Sequence, residues 1–140
     1  MKAKLLCFVL PIVLCACTPS AQKNAAQASD NASIIVKNFQ AAEIVSHAQG
    51  LISDSDHVFI EQQMATLGQA GTAVDVCIAN ANSNSAVSTC ITTILNTVTQ
   101  INAEGGTYLK SPTAKTDFSL AMTGLQAALE SIQTMIGVTK

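Results

Sequence analysis

The chain has 140 residues, 49% of them hydrophobic, and a formal net charge of −2. That length suits one compact domain with a modest core, and no internal repeat is evident. All seven basic residues are lysines, and they do not cluster. Nucleic-acid binding requires clustered positive charge, so that partner class is excluded. With no Trp and a single Tyr, large aromatic anchors for sugars or partner pockets are scarce.

Met1-Lys-Ala-Lys4 is a short basic segment, and Leu5–Leu14 is an apolar run of secretory-signal length, too short to span a bilayer as a mature helix. It leads into Leu14-Cys15-Ala16-Cys17 and then Thr18-Pro19-Ser20. Here the chain resembles bacterial lipoproteins, whose lipobox carries Leu three residues before an invariant Cys and a small residue directly before it. Leu14, Ala16 and Cys17 match the pattern, and Cys15 is a less usual but small residue at the intermediate position. The resemblance covers about the first twenty residues. It implies cleavage after Ala16, with Cys17 as the new N-terminus bearing a thioether-linked diacylglycerol and an amide-linked acyl chain. Several acyl chains, at about 0.8 kcal/mol per buried CH₂, hold a protein firmly to a bilayer. In Gram-negative members of the family an Asp after the Cys favours inner-membrane retention; Thr18 lacks that signal, which points to the outer membrane. An ordinary signal peptide cut after Ala16, leaving Cys17 a free thiol, and an uncleaved anchor are the alternatives. Removal of residues 1–16 takes away Lys2 and Lys4 and makes the mature chain more acidic.

Residues 17–32 contain small and polar residues with no large apolar side chain, so they read as a flexible tether. The alternative is an Ala-rich extension of the next helix. Residues 33–140 are expected to form an all-α domain, an up-down-up-down four-helix bundle. Its first helix spans Ser33–Leu51, with Ile34, Ile35, Ala41, Ala42, Val45 and Ala48 on one broad face and Gln40, Glu43 and His47 opposite. Gly50 and Ser53-Asp54-Ser55-Asp56 break it and offer N-cap oxygens to the second helix.

The second helix, residues 55–81, has the clearest pattern. Ile60, Met64, Leu67, Gly71, Val74, Ile78 and Ala81 alternate in steps of four and three. Gly68 and Gly71 suggest close approach of a neighbouring helix. The turn is expected at Asn82-Ser83-Asn84-Ser85, flanked at equal distance by Cys77 and Cys90, so an antiparallel pair brings those cysteines to the same height. The third helix repeats the stepping through Val87, Ile91, Ile94, Val98 and Ile101 and is rich in Thr, a weak helix former that leaves a β reading open. Gly105-Gly106 is expected to end it. Ser111-Pro112 supplies an N-cap and N1 pair for a fourth helix with the line Phe118, Ala121, Leu125, Ala128, Ile132 and Met135, whose backbone is open to close approach at Ala121, Gly124 and Ala128. Leu67, Val74, Ile94, Val98, Leu125 and Ile132 are the expected core. A three-helix core with the first helix loosely attached, or exchanged with a second copy, is the alternative architecture.

Cysteine usage fits an exported protein. On that resemblance Cys7 and Cys15 would leave with the signal peptide and Cys17 would be lipidated, so Cys77 and Cys90 are expected to remain as an even pair for a structural disulfide. Their spacing is not that of a CxxC redox or metal motif.

Glu43 and His47 lie four apart, as do His57 and Glu61, mirrored about Ile52 with Asp54 and Asp56 between. Imidazole and carboxylate together bind divalent metals. Because Glu43 and His47 map to a polar face while His57 extends an apolar line, the two pairs are expected not to converge, and the residues read as solvated surface. Met64, Met122 and His57 are nominal haem ligands, but there is no CxxCH and Met at this spacing is usually packing. No cofactor is therefore expected. No nucleophile elbow or phosphate loop is present, so no enzymatic activity is expected. The expectation is a lipid-anchored envelope protein, bacterial or phage-encoded, that binds another envelope protein or an incoming one, for instance in immunity or phage exclusion. The alternative is a carrier of an apolar ligand or cofactor inside the bundle; an apolar pocket favours the carrier, and a filled core beside an exposed apolar stripe favours the interaction module.

Overall fold

A computed structural model describes residues 19–136. Cys7, Cys15 and Cys17, with the whole lipobox, lie outside the described residues. Within them the chain forms four helices: α1 (Pro19–Ala48), α2 (Asp54–Asn80), α3 (Asn84–Tyr108) and α4 (Pro112–Met135). Each helix packs on the next and α4 returns to α1, while α1 and α3 barely meet across the diagonal. This is the expected up-down-up-down bundle.

The helix ends follow from local chemistry. Gly50 adopts φ 72°, and the Gly50 and Leu51 N–H groups donate to His47 and Ser46 carbonyls, closing α1 as a Schellman motif. Ser53, Ser83 and Ser111 are the N-caps of α2, α3 and α4, their hydroxyls accepting from the N–H of Asp56, Ala86 and Ala114. Ser83 starts α3 earlier than expected, so the connection is Ala81–Ser83, and Cys77 and Cys90 stand three and six residues inside their helices. Extended Ala81 carries the chain past the end of α2 and makes up the difference. The Cys77–Cys90 disulfide forms with Cα atoms 5.9 Å apart. In the chain-entropy model closing so short a loop contributes about 3 kcal/mol.

The lines expected for α2 and α3 are the core: Ile60, Met64, Leu67, Val74 and Ile78 face Val87, Ile91, Ile94, Val98 and Ile101, all buried. The Thr residues of α3 remain helical because their hydroxyls bond back along the helix, as Thr89, Thr93 and Thr97 do to the carbonyls of Ser85, Thr89 and Thr93. In α4 the buried line is Phe118, Met122, Leu125, Leu129, Ile132 and Ile136. It departs from the expected line because the larger Met122 and Leu129 displace Ala121 and Ala128 from the deepest positions, and Met135 is exposed.

Four further expectations are corrected. Residues 19–32 are helical and belong to α1, with Ala25 and Ala32 buried, so this part of the expected tether is packed structure. Alanine favours helix and is small enough to seat α1 against its neighbours. The faces of α1 are reversed: Ile34 and Val45 are each 54% exposed, whereas Glu43 is 2% exposed. Gly105 and Gly106 do not stop α3, which continues to Tyr108; Gly105 is buried against the Phe118 ring, which leaves no room for a Cβ there. Gly68, Gly71 and Gly124 have no neighbouring helix atom within 4 Å of a Cβ position, so none marks a close helix crossing.

Candidate functional site

The reversal of α1 creates two features on its seam with α2. The first is a polar cluster at the α1–α2 turn. Glu43 is carried inward on the line Ala32, Val36, Phe39, Glu43, which repeats in steps of four and three. Its Oε1 lies 2.7 Å from His57 Nδ1, and its Oε2 is buried with no hydrogen-bond partner. The His57 ring stacks on His47, centroids 4.1 Å apart and planes 5° apart, and His47 Nε2 lies 2.9 Å from Asp54 Oδ1. Glu61, one turn beyond His57, offers a carboxylate oxygen to the same place; ligand atoms of Glu43, His57 and Glu61 all lie within 4.8 Å of one another.

The two Glu/His pairs therefore converge, contrary to the expectation from helix faces. Proximity in sequence to a tight turn, with the pairs mirrored about Ile52, was the signal for convergence. The opposing signal was the string of aliphatic residues on the other side of α1, which made that side look like the core face. Of the three nominal haem ligands, Met64 and Met122 are buried in the apolar core and His57 is paired with Glu43.

Next to this cluster, the turns at that end of the bundle are clasped together. Asp56 is buried, and its Oδ1 and Oδ2 accept from the N–H groups of Lys110 and Ser111 at 2.9 and 2.8 Å. Ser111 Oγ donates to the Leu51 carbonyl, 3.1 Å away. Burial raises the Asp56 pKa, but the two backbone donors, the Ser53 side chain and the Lys110 charge outweigh it and hold the carboxyl below its usual 3.8. Sequence reading assigned Asp56 only a capping role, since its partners lie 54 and 55 residues away.

The second feature is an apolar cavity of about 340 Å³ between α1 and the other three helices. Met64, Leu67 and Val74 of α2, Ile91 and Ile94 of α3, and Leu125, Leu129 and Ile132 of α4 form its interior. Ser33, Lys37 and Thr72 are exposed at its rim. Gly68 and Gly71 stand where α2 faces α1, and their missing side chains leave the seam open. The helices are tied on both sides of the opening: Ser29 Oγ donates to Asp75 Oδ1 at 2.6 Å, and Glu43 meets His57 fourteen residues further along α1. At 1.5 Å per residue these fastenings stand about 21 Å apart, with the cavity between them.

The clasp makes a testable contribution. Asp56→Ala leaves two N–H groups without their acceptors and should destabilise the bundle by about 2–4 kcal/mol, measured by urea denaturation. Because the folded-state pKa is depressed, the stabilisation is present above about pH 3.8 and is lost as pH falls through the folded value. The variant should therefore lose less stability than the wild type on acidification through that range.

Comparison of this chain with protein-family models, curated proteins and solved structures finds no match in any of the three.

Proposed function

We propose that this protein is a lipid-anchored envelope protein whose bundle carries a small apolar ligand, acting by binding and without catalysis. The apolar cavity carries this reading. Its volume of about 340 Å³ falls in the range of small-molecule sites. It is roughly twice the ~150 Å³ of an apolar void that takes up one benzene, which suits a two-ring aromatic or a medium-length hydrocarbon chain. The interior side chains offer shape and apolar surface, while the Lys37, Thr72 and Ser33 rim offers polar contacts for one end of an amphiphile. Such a ligand is sparingly soluble, and a carrier tethered to a membrane would meet it where it partitions.

The anchor rests on Leu14-Cys15-Ala16-Cys17 and its resemblance to the lipobox. No described helix is long and apolar enough to cross a membrane, and a lipidated N-terminus needs none.

A second reading, docking to another envelope or incoming protein as in immunity or phage exclusion, is favoured by the outer side of α1. There Ile34, Ile44 and Val45 are each 54% exposed, and Leu51 follows at 53%. An apolar stripe on a helix that also closes the cavity would let a partner sense or trigger release of the ligand.

Two experiments test the proposal. With the protein held in lipid nanodiscs, N-phenyl-1-naphthylamine fluorescence should rise to saturation at one probe per chain. Gly71→Leu, which places a side chain where no atom lies within 4 Å of the Cβ position, should remove that increment and leave only partition into lipid. Identical titrations for the two proteins would refute ligand carriage. For the anchor, metabolic labelling with an alkyne fatty acid should mark the wild type and not Cys17→Ser; mass spectrometry showing an unmodified Cys17 at the mature N-terminus would refute it.

A further inference from the structure

From the geometry at the α1–α2 turn we infer a divalent transition-metal site, of the zinc class, formed by Glu43, His57 and Glu61. It is independent of ligand carriage in the cavity. The three residues bring one imidazole and two carboxylates together from two helices, with ligand atoms all within 4.8 Å of one another. A metal held at about 2.0–2.2 Å from each donor requires donor–donor spacings near 3.4 Å, so side-chain adjustments of about an ångström or less, with no backbone movement, close the site.

The buried carboxylate gives an independent reason for a cation. The Glu43 side chain is fully buried, yet only Oε1 has a partner, and Oε2 is left without one. Among the described residues no lysine pairs with Glu43 or Glu61; the ion pairs at this turn are those of His57 with Glu43 and His47 with Asp54. A buried carboxylate oxygen without a donor is costly, and a metal ion satisfies it with charge and a short bond. Binding needs the Nδ1 lone pair, so the proton held between His57 Nδ1 and Glu43 Oε1 leaves that contact: an imidazolium releases it to solvent, and a neutral ring carries it on Nε2 instead.

The donor set decides the metal class. A nitrogen donor with two carboxylates favours zinc and its first-row neighbours over magnesium and calcium, which take oxygen ligands. The His47 ring, its Nε2 2.9 Å from Asp54 Oδ1, stacks on the His57 ring beside the site. Three protein ligands leave a fourth tetrahedral position for water.

The test uses the protein as isolated in nanodiscs, without an affinity tag. The thiols outside the disulfide are capped with iodoacetamide under non-reducing conditions, because free cysteines bind zinc themselves. After chelator stripping and dialysis, zinc is titrated against a chromophoric competitor. The wild type should bind one zinc per chain with a dissociation constant of about 10 µM or tighter, and Glu43→Gln and Glu61→Gln should each weaken binding at least about tenfold. Millimolar magnesium should not compete. Circular dichroism checks that helix content is retained; Glu61, only half-buried, is the variant that keeps the test decisive if Glu43→Gln unfolds. Cobalt substitution should give the visible bands of a four-coordinate site in the wild type alone. No zinc bound at about 100 µM, affinity unchanged in Glu61→Gln, or equal competition by magnesium would overturn the site and leave Glu43 and His57 as a hydrogen-bonded pair only.

Discussion

The contact between the buried Glu43 carboxylate and the His57 ring fixes which way α1 is turned, and most of the distinctive structure depends on that orientation. A carboxylate on the inner line of a helix is expensive unless a polar partner is within reach. His57, one residue into the helical ladder of α2 beyond its acidic first turn, is that partner. With Glu43 seated there, Ala25, Ala32, Val36 and Phe39 face the core along α1. The aliphatics Ile34, Ile44 and Val45 are left in solvent.

Where α1 presents Ala32 to the Leu, Ile and Met side chains of the other helices, space is left unfilled. The shortfall lies opposite Ala32, where Gly68 and Gly71 of α2 also lack side chains, and there the cavity opens. By contrast the end near the turns is densely filled. Phe39 and Phe59 pack against Phe118 with ring centroids 5.8 and 6.1 Å away, Gly105 makes room for that ring, and Asp56 ties the α3–α4 connection to α2. The α2–α3 disulfide braces the opposite end. The bundle is thus braced at both ends, with an apolar recess along the α1–α2 seam between them.

The sequence made the α2–α3 hairpin legible because its apolar residues keep one line for several turns and its cysteines bracket a cluster of turn formers. The caps at Ser53 and Ser111 were legible for the same local reason, since each precedes a helix and needs no distant partner, whereas Ser83 was read only as part of the turn. What depends on distant partners was not. The α4 line was misread by one position in places because Ala121 and Met122 are both apolar, and only the space between α1 and α3 selects the larger. Gly105 looked like a helix stop because nothing local to it indicates that Phe118 lies above. On α1 the apolar residues occupy nearly all sides, so periodicity could not identify the inner face. The heptad-like spacing of Ala25, Ala32 and Phe39 was available, but small residues give little hydrophobic signal against Ile34 and Val45. The Glu/His cluster was named from its spacing and then placed apart by the same error, since it converges only when α1 is turned to bury Glu43.

The orientation of α1 is therefore the central claim, and site-directed thiol labelling tests it most directly. Single cysteines at Ala32 and Val45 are exposed to a maleimide in the folded protein, with peptide mass mapping to separate each introduced thiol from the native ones. The structure predicts rapid modification at position 45 and protection at position 32, in line with exposures of 54% and 8%. Rapid modification at 32 with protection at 45 would return the aliphatic face of α1 to the core and contradict the account of both the cavity and the Glu43–His57 cluster.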